Sequence, residues 1–338
     1  MMKPLTNKNS RRRADRTLPF SATRFRREAG ILLAVSLCGC AALAQDSESA
    51  GQARTAPASQ AEAHSPWPEA GGDHPVFGVQ LSYDYVAQGG VSYRGITGHS
   101  DASSIRANVM AEIPLNEQWF VPVGIRSADQ WLGTIAGVPI PDRLNTLSLG
   151  AGLGCHVNER WTVAGSLGPS IYRFDDVGHD EVGVNGMIRA TYKWRPDVTI
   201  GFGIAFEPDN DIPVMPVAGL RWAIRTNLTL NLMFPRPALI YRLNSRFDLF
   251  AAGGGDFTVF RTESDFGNQI GQARYNNALG TYRDFHFGGG AECRLPFGAA
   301  LSVETGYSFR REIKYKDIDE TVSFDPGLYV QAGLRWRF

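Results

Sequence analysis

The side chains that most often perform chemistry are spread thinly along this chain of 338 residues. A nucleophilic serine of the hydrolase type would need a G-x-S-x-G turn and a histidine partner, and the sequence contains no such turn. The histidines beyond residue 75 are far apart, at His99, His156, His179 and His286. The sequence therefore predicts no enzyme and no catalytic residue.

One short segment has the composition of a cation site. Asp175-Asp176 and His179-Asp180-Glu181 could offer oxygen ligands to a bound ion. A solvated acidic loop accounts for the same residues without a ligand, and it is the interpretation we favour. We predict no metal site.

The cysteines and glycine runs give no stronger signal. Cys155 and Cys293 stand 138 positions apart, and neither has a Cys or His partner at metal-ligand spacing. We interpret both as small apolar fillers. The glycine runs at 253–255 and 288–290 are not followed by the Lys-Ser/Thr of a phosphate-binding loop, so we predict no cofactor.

Charged residues instead recur at every second position of apolar segments. In residues 301–310, for example, Leu301 and Val303 alternate with Ser302 and Glu304, as side chains on opposite faces of a strand do. If the apolar faces contact lipid, the other faces line an interior, where charges of both signs can line a water-filled pore or interlock as a plug. The predicted interior residues are Arg106, Glu112, Arg189, Lys193, Glu207, Arg221, Asp248, Asp256, Asp284, His286, Glu292, Arg294, Glu304, Arg310, Arg335 and Arg337.

The last segment, 326–338, shows the alternation to its final residue. Leu328, Leu334, Trp336 and Phe338 share one face, and a run of about 11 residues is long enough for a tilted strand to cross a bilayer. The segment resembles the C-terminal strand of bacterial outer-membrane β-barrels, and Phe338 resembles the signal that their insertion machinery reads. A strand closing a soluble periplasmic β-sandwich is the alternative.

The rest of residues 76–338 predicts a closed antiparallel up-and-down transmembrane β-barrel. Short turns alternate with longer loops, the asymmetry of short periplasmic turns and long extracellular loops. We count 14 strands, or 12 if the short pair at 228–235 and 238–243 does not span. The longer loops are predicted at about 87–102, 127–143, 175–181, 262–277 and 313–325.

Five tryptophans lie near the short-turn side, which suits an aromatic girdle at a membrane–water interface, although packing near strand ends is an alternative. They are Trp119, Trp161, Trp194, Trp222 and Trp336.

The N-terminal region predicts secretion. Residues 1–44 combine a basic segment, a short apolar core and a cleavage site after Ala44. Cys40 lies in a lipobox-like segment, a weaker alternative that would attach a lipid. Residues 45–75 predict a disordered periplasmic lead-in. Cleavage removes nine Lys and Arg but only two Asp and Glu, so the mature chain has a net charge of −7, which argues against binding nucleic acid.

Residues 232–243, together with the pattern of 76–338, resemble the uncharacterised porin-like barrel families that are known only as domains of unknown function. The resemblance implies the outer membrane of a Gram-negative envelope and supplies no catalytic residues. We expect a passive channel or small-solute transporter, with outer-membrane lipid and the barrel-insertion machinery as partners. The alternative is a structural or adhesive surface barrel with a blocked lumen.

Overall fold

The computed structural model describes residues 74–173 and 181–338. The predicted signal peptide 1–44, with Ala44 and Cys40, lies outside the described residues. So do positions 45–73 of the lead-in and Asp175, Asp176, His179 and Asp180 of the acidic segment. In the part of the chain that is described, no helix is both long and apolar enough to cross a membrane.

Strands dominate the described residues because period-two alternation continues through most of them. Their bounds are β1 Val76–Tyr93, β2 Ile96–Pro114, β3 Trp119–Leu132, β4 Arg143–His156, β5 Trp161–Ile171, β6 Val182–Arg195, β7 Val198–Phe206, β8 Val214–Arg225, β9 Leu228–Asn231, β10 Ala238–Arg242, β11 Phe247–Arg261, β12 Leu279–Arg294, β13 Ala299–Tyr315, β14 Glu320–Phe324 and β15 Gly327–Arg337. One helical turn, Phe266–Gln269, and the 3-10 turns Ala273–Tyr275 and Pro296–Gly298 interrupt them.

The strands form one sheet that closes on itself. Each of β1 to β13 pairs antiparallel with the next, while β14 and β15 both lie between β13 and β1. Their shared neighbours make β14 and β15 two segments of one strand, interrupted at Asp325-Pro326. The first and last strands, β1 and β15, pair along the seam that closes the barrel, where Leu81 lies opposite Leu334 and Val79 lies opposite Trp336. The predicted fold is confirmed: the chain is a closed antiparallel barrel of 14 strands.

The barrel has an apolar outside. Large hydrophobic side chains such as Ile188, 65% exposed, project from it with ion pairs on the opposite face. This inversion suits strands that contact lipid. β1 begins, β15 ends and the short turns lie at one end of the barrel, here called the turn end, and the opposite end is called the loop end.

Of the four register shifts in the described strands, two are β-bulges far from the turn end, and each reverses which positions face inward beyond it. One lies in β1, between Val86 and Gly89, and the other in β13, where Phe285 opposes Arg310 while His286 opposes Ser308. A bulge adds one residue to one strand, so the alternation changes phase beyond it.

The prediction that Arg310 lines the interior is therefore wrong. Phe309 is the extra residue of the β13 bulge, and Arg310 faces outward with its side chain 63% exposed. Arg311, 2% exposed, takes the inward position, donates to the carbonyl of Ser100 at 3.0 Å and lies over the ring of Phe324.

The loop end is closed by a hydrophobic cluster, here called the loop-end cluster. Residues 133–142 and 262–278 fold across the mouth, where Tyr315 donates to the carbonyl of Pro139 at 3.0 Å. Gln272 donates to the carbonyl of Gly137 at 3.1 Å. The core of the cluster comprises Val91, Tyr93, Ile140, Leu144, Phe260, Tyr275, Tyr282, Ile313, Tyr315 and Val322.

The predicted loop at 87–102 is also wrong. β1 and β2 continue through it to a tight turn at Arg94-Gly95, whose φ angles of 49° and 83° are both positive. Turns with this backbone match the twist of the strands that they join. The hairpin tip therefore stands beside the loop-end cluster.

Candidate functional site

Arg106 is the centre of a charged group inside the barrel. It reaches Asp84 on β1 at 3.1 Å and Asp256 on β11 at 3.0 Å. Since β2 and β11 are not neighbours in the sheet, the second contact crosses the interior. The side chains of Arg106 and Asp256 remain 25% and 28% exposed, so water reaches this group.

Residues of β12 and β13 complete the wall beside it. Ser308 donates to Asp284 at 2.5 Å. His286 places Nδ1 3.8 Å from Asp256, and its ring lies 4.9 Å from that of Tyr329. The ring also lies directly over Gly254, where an added Cβ would clash with it. A glycine at this position thus makes room for the imidazole.

A turn of the chain enters the interior at mid-height. Between β9 and β10, residues 232–237 fold inward, and Arg236 pairs with buried Glu304 on β13. Arg236 also lies over the ring of Phe250, 5.7 Å from its centroid. Glu304 accepts a second hydrogen bond from Tyr329 at 2.5 Å, so its charge is compensated from two sides.

Further ion pairs continue toward the turn end. Asp248 on β11 is held between Arg294 and Arg242. Arg335 on the last strand donates to Glu292 at 2.8 Å. A buried acid with an arginine partner is the arrangement that makes charges tolerable away from bulk water.

The opposite wall carries a separate pair. Arg189 on β6 donates to buried Glu112 on β2 at 3.2 Å. These strands are not neighbours either, so this contact also bridges the interior. Arg221 on β8 lies opposite Asn231 and Thr199.

The remaining predicted residues lie toward the ends. Lys193 is exposed near the end of β6, and Arg337 is the last residue of β15. Glu207 follows β7 at the loop end and accepts from Asn210 at 3.2 Å.

The sequence analysis missed several interior charges, among them Asp84, Arg126, Arg236, Arg242 and Arg311. Arg126 opposes interior Asn108 and is exposed although it faces inward. Among the described residues it has no ion-pair partner. The alternation of β3 predicts that Arg126 faces inward. Arg236 lies in a turn, where no alternation predicts that the chain folds inward.

The predicted girdle residues all lie near the turn end. Trp119 and Trp161 begin β3 and β5, and the other three, Trp194, Trp222 and Trp336, lie within the last four residues of their strands. The final residue, Phe338, stacks on Phe77 with ring centroids 5.5 Å apart, and the two residues exchange backbone hydrogen bonds across the seam.

No group of three or more metal-ligating side chains occurs within residues 74–173 and 181–338. Within the same residues, Cys155 and Cys293 form no disulfide bond.

Glu320 ties the loop-end cluster to the β1–β2 hairpin. It accepts hydrogen bonds from Tyr93 and Tyr275 at 2.5 Å each, and it pairs with Arg274 at 2.7 Å and with Arg94. Its partial burial opposes ionisation, but the tyrosine hydrogen bonds and the two arginines prevail and lower the pKa of Glu320. Burial and the bond to Glu320 raise the pKa of Tyr275.

This geometry defines a closed transmembrane barrel with a charged interior and a covered mouth. Residues 84–337 match the family described as "Domain of unknown function (DUF6268)", and the chain belongs to that family. No curated protein sequence matches the chain.

Several solved structures of outer-membrane proteins are similar at a distance. The "COG4313 outer membrane channel from Pseudomonas putida F1" is 11% identical over 80% of this chain and 97% of its own, with a TM-score of 0.44. The "Pseudomonas putida toluene transporter TodX" is 13% identical over 79% and 90%, with a TM-score of 0.36. The NanC porin is 11% identical over 76% and 98%, with a TM-score of 0.35.

Proposed function

We propose that the barrel is a gated outer-membrane channel that lets small solutes cross passively. The observation that carries the proposal is the state of its interior charges. Arg106, Arg236 and Arg335 pair with acids, yet their side chains stay 25–42% exposed. Dehydrated ion pairs would be costly, and exposure of this kind indicates a water-accessible lumen.

The conformation described here is the closed state of that channel. The loop-end cluster covers the mouth, and Ile313, Tyr315 and Val322 have no exposed surface. A solute could pass only after residues 133–142 or 262–278 move. Because polar contacts from Glu320 hold this region to a hairpin tip, opening requires breaking a small number of identifiable bonds.

The alternative is a structural or adhesive surface barrel without transport. The same loop-end cluster favours it, because a mouth packed as tightly as a protein core needs no gate. In that case the interior ion pairs only compensate one another.

Planar-bilayer recording of the refolded full chain separates the two functions. A channel gives stepwise current that increases when the loop-end cluster is weakened. A structural barrel gives no current in either form, and this outcome would overturn the proposal. Heat-modifiable migration on a gel confirms in each case that the tested protein is folded.

We further propose how the chain reaches the membrane. A signal peptide is removed after Ala44, and the strand that ends at Phe338 engages the insertion machinery. The five turn-end tryptophans anchor the barrel at the periplasmic interface. Retention of the chain in the outer-membrane fraction, and its loss on removal of residues 1–44, tests this route. The proposal includes no reaction, metal or cofactor.

A further inference from the structure

The wall of the barrel is incomplete between β8 and β11. The two strands that should fill this position, β9 and β10, have only four and five residues. Above them, within the described part of the chain, no backbone hydrogen bond joins β8 to β11. We call the resulting gap the side window; its lower border is the inward turn 232–237.

The borders of the side window are well defined. At its base, Leu232 donates to the carbonyl of Leu220, and Gly253 donates to the carbonyl of Pro237. Its sides are the edges of β8 at 214–219 and of β11 at 254–258, about 16–20 Å of strand at 3.3 Å per residue.

The top of the side window is closed by the loop between β7 and β8. Asp211 in that loop pairs with Arg283 on β12, and its backbone N–H donates to Thr281. Lys316 donates to the carbonyl of Pro208 at 2.5 Å. The gap is therefore bordered on all four sides and is not a frayed end.

The side window opens at the level of the lipid. Residues 214, 216 and 218 on β8 oppose Phe206, Ile204 and Phe202 on β7. These three β7 side chains are exposed on the outer, lipid-facing surface. The unpaired edge of β8 thus lies at the same height as hydrocarbon.

Unpaired backbone at this depth has a physical consequence. Each N–H or C=O without a partner in hydrocarbon costs several kcal/mol, and such backbone is tolerated only where it is buried in protein or lines a water-filled cavity. Water inside the barrel can satisfy these edges if the side window communicates with the lumen. The gap is then a junction between lumen water and the bilayer.

The outer approach to the side window is aromatic. The ring of Phe285 lies 6.4 Å from that of Phe309 and 5.5 Å from that of Phe257, and Phe257 lies 6.4 Å from Phe234 on the inward turn. The row therefore leads from the outer surface of β13 to the lower border of the side window. Gly255, on the same face of β11, makes room for this row, because an added Cβ would lie 3.2 Å from the rings of both Phe257 and Phe285.

We propose that the side window is a lateral portal through which small apolar solutes pass between the lumen and the hydrocarbon of the outer membrane. The proposal rests on the channel function proposed above and adds the class of solute. Apolar molecules are favoured because the row of phenylalanine rings offers contacts without hydrogen-bonding groups, and because the route ends in lipid.

Uptake of the apolar fluorescent probe 1-N-phenylnaphthylamine by intact cells that express the full chain tests the portal. Gly253→Trp fills the lower side window, where an added Cβ meets its nearest neighbours at an ordinary 3.6 Å. Gly289→Trp is the matched control, because it adds the same side chain to the outer face of β12, where the nearest neighbour is 3.5 Å away. Phe257→Ala should widen the opening.

We expect wild type and Gly289→Trp to accelerate uptake equally, Gly253→Trp to reduce it to the level of cells without the protein, and Phe257→Ala to increase it. Equal uptake by Gly253→Trp and wild type, with both folded by heat-modifiable migration, overturns the portal.

Bilayer conductance keeps the two proposals distinguishable. A wild type that conducts but does not accelerate uptake of the probe disproves the portal and leaves the channel. A wild type that accelerates uptake without conducting disproves the polar channel and retains the portal.

Discussion

Replacing Glu320 by glutamine should open the barrel more often. The carboxylate accepts from Tyr93 on the β1–β2 hairpin and from Tyr275 in the loop-end cluster, so one side chain joins the two parts. Glutamine preserves the size of the side chain but removes its charge. The hydrogen bonds become neutral, and the attraction of Arg94 and Arg274 is lost.

The magnitude follows from the two tyrosine bonds. A hydrogen bond to a charged group contributes about 1.5–3 kcal/mol and a neutral one about 0.5–1.5 kcal/mol. Water has access to the mouth, so we take the lower ends and a loss of about 1 kcal/mol per bond. The arginines, whose side chains are 58% and 40% exposed, add little. A total of about 2 kcal/mol raises the ratio of open to closed states roughly 30-fold.

Single-channel recording measures that ratio directly, as the open probability of wild type and Glu320→Gln in the same bilayer. Glu263→Gln is the control, because Glu263 lies in residues 262–278, the loop that carries Tyr275, and has an exposed side chain with no described partner. An open probability for Glu320→Gln equal to that of wild type would refute the role of Glu320 in closure.

Three further outcomes are expected. Because the pKa of Glu320 is lowered in the folded state, the stabilising contribution of its carboxylate is complete above about pH 4.3 and is lost as the pH falls further. The open probability should therefore rise only in acid. An open probability that stays constant between neutral pH and about pH 3 would contradict this. Deleting Phe309 removes the bulge without changing which residues face inward, so this variant should fold. Deleting Val303 from the regular ladder instead reverses the faces of half of β13 and should abolish heat-modifiable migration. Equal behaviour of the two deletions would disprove the register. Phe338→Ser removes the ring stacked on Phe77 and should lower the yield of assembled barrel in the membrane fraction. The same Phe-to-Ser change at the C-terminus of a soluble control domain should leave the yield of that domain unchanged.

The sequence predicts the closed sheet because alternation is a local property. Each strand shows its two faces within about ten residues, and the inward positions of Arg106, Glu112 and Glu304 follow directly. The turn-end connections are equally local, since two or three polar residues between alternating segments leave few other conformations.

What the sequence does not predict depends on partners that are remote along the chain. In β13 the apolar period runs through Tyr307 and Phe309, breaks at Arg311, and returns in the same phase at Ile313 and Tyr315. The phase of the pattern therefore does not mark the bulge that turns the last two inward. Arg236 pairs with a residue 68 positions away. The packing of 133–142 against 262–278 likewise depends on the completed barrel.

The loop-end cluster also implies an unusual response to temperature. Tyr315 and its neighbours are held together by the exclusion of water, and this driving force weakens on cooling. The wall of the barrel sits in lipid, where no such aqueous term acts between protein and solvent. We therefore expect cooling to weaken the packing of the loop-end cluster while the barrel wall stays folded. The open probability should then rise during cooling, and single-channel recording would measure the rise.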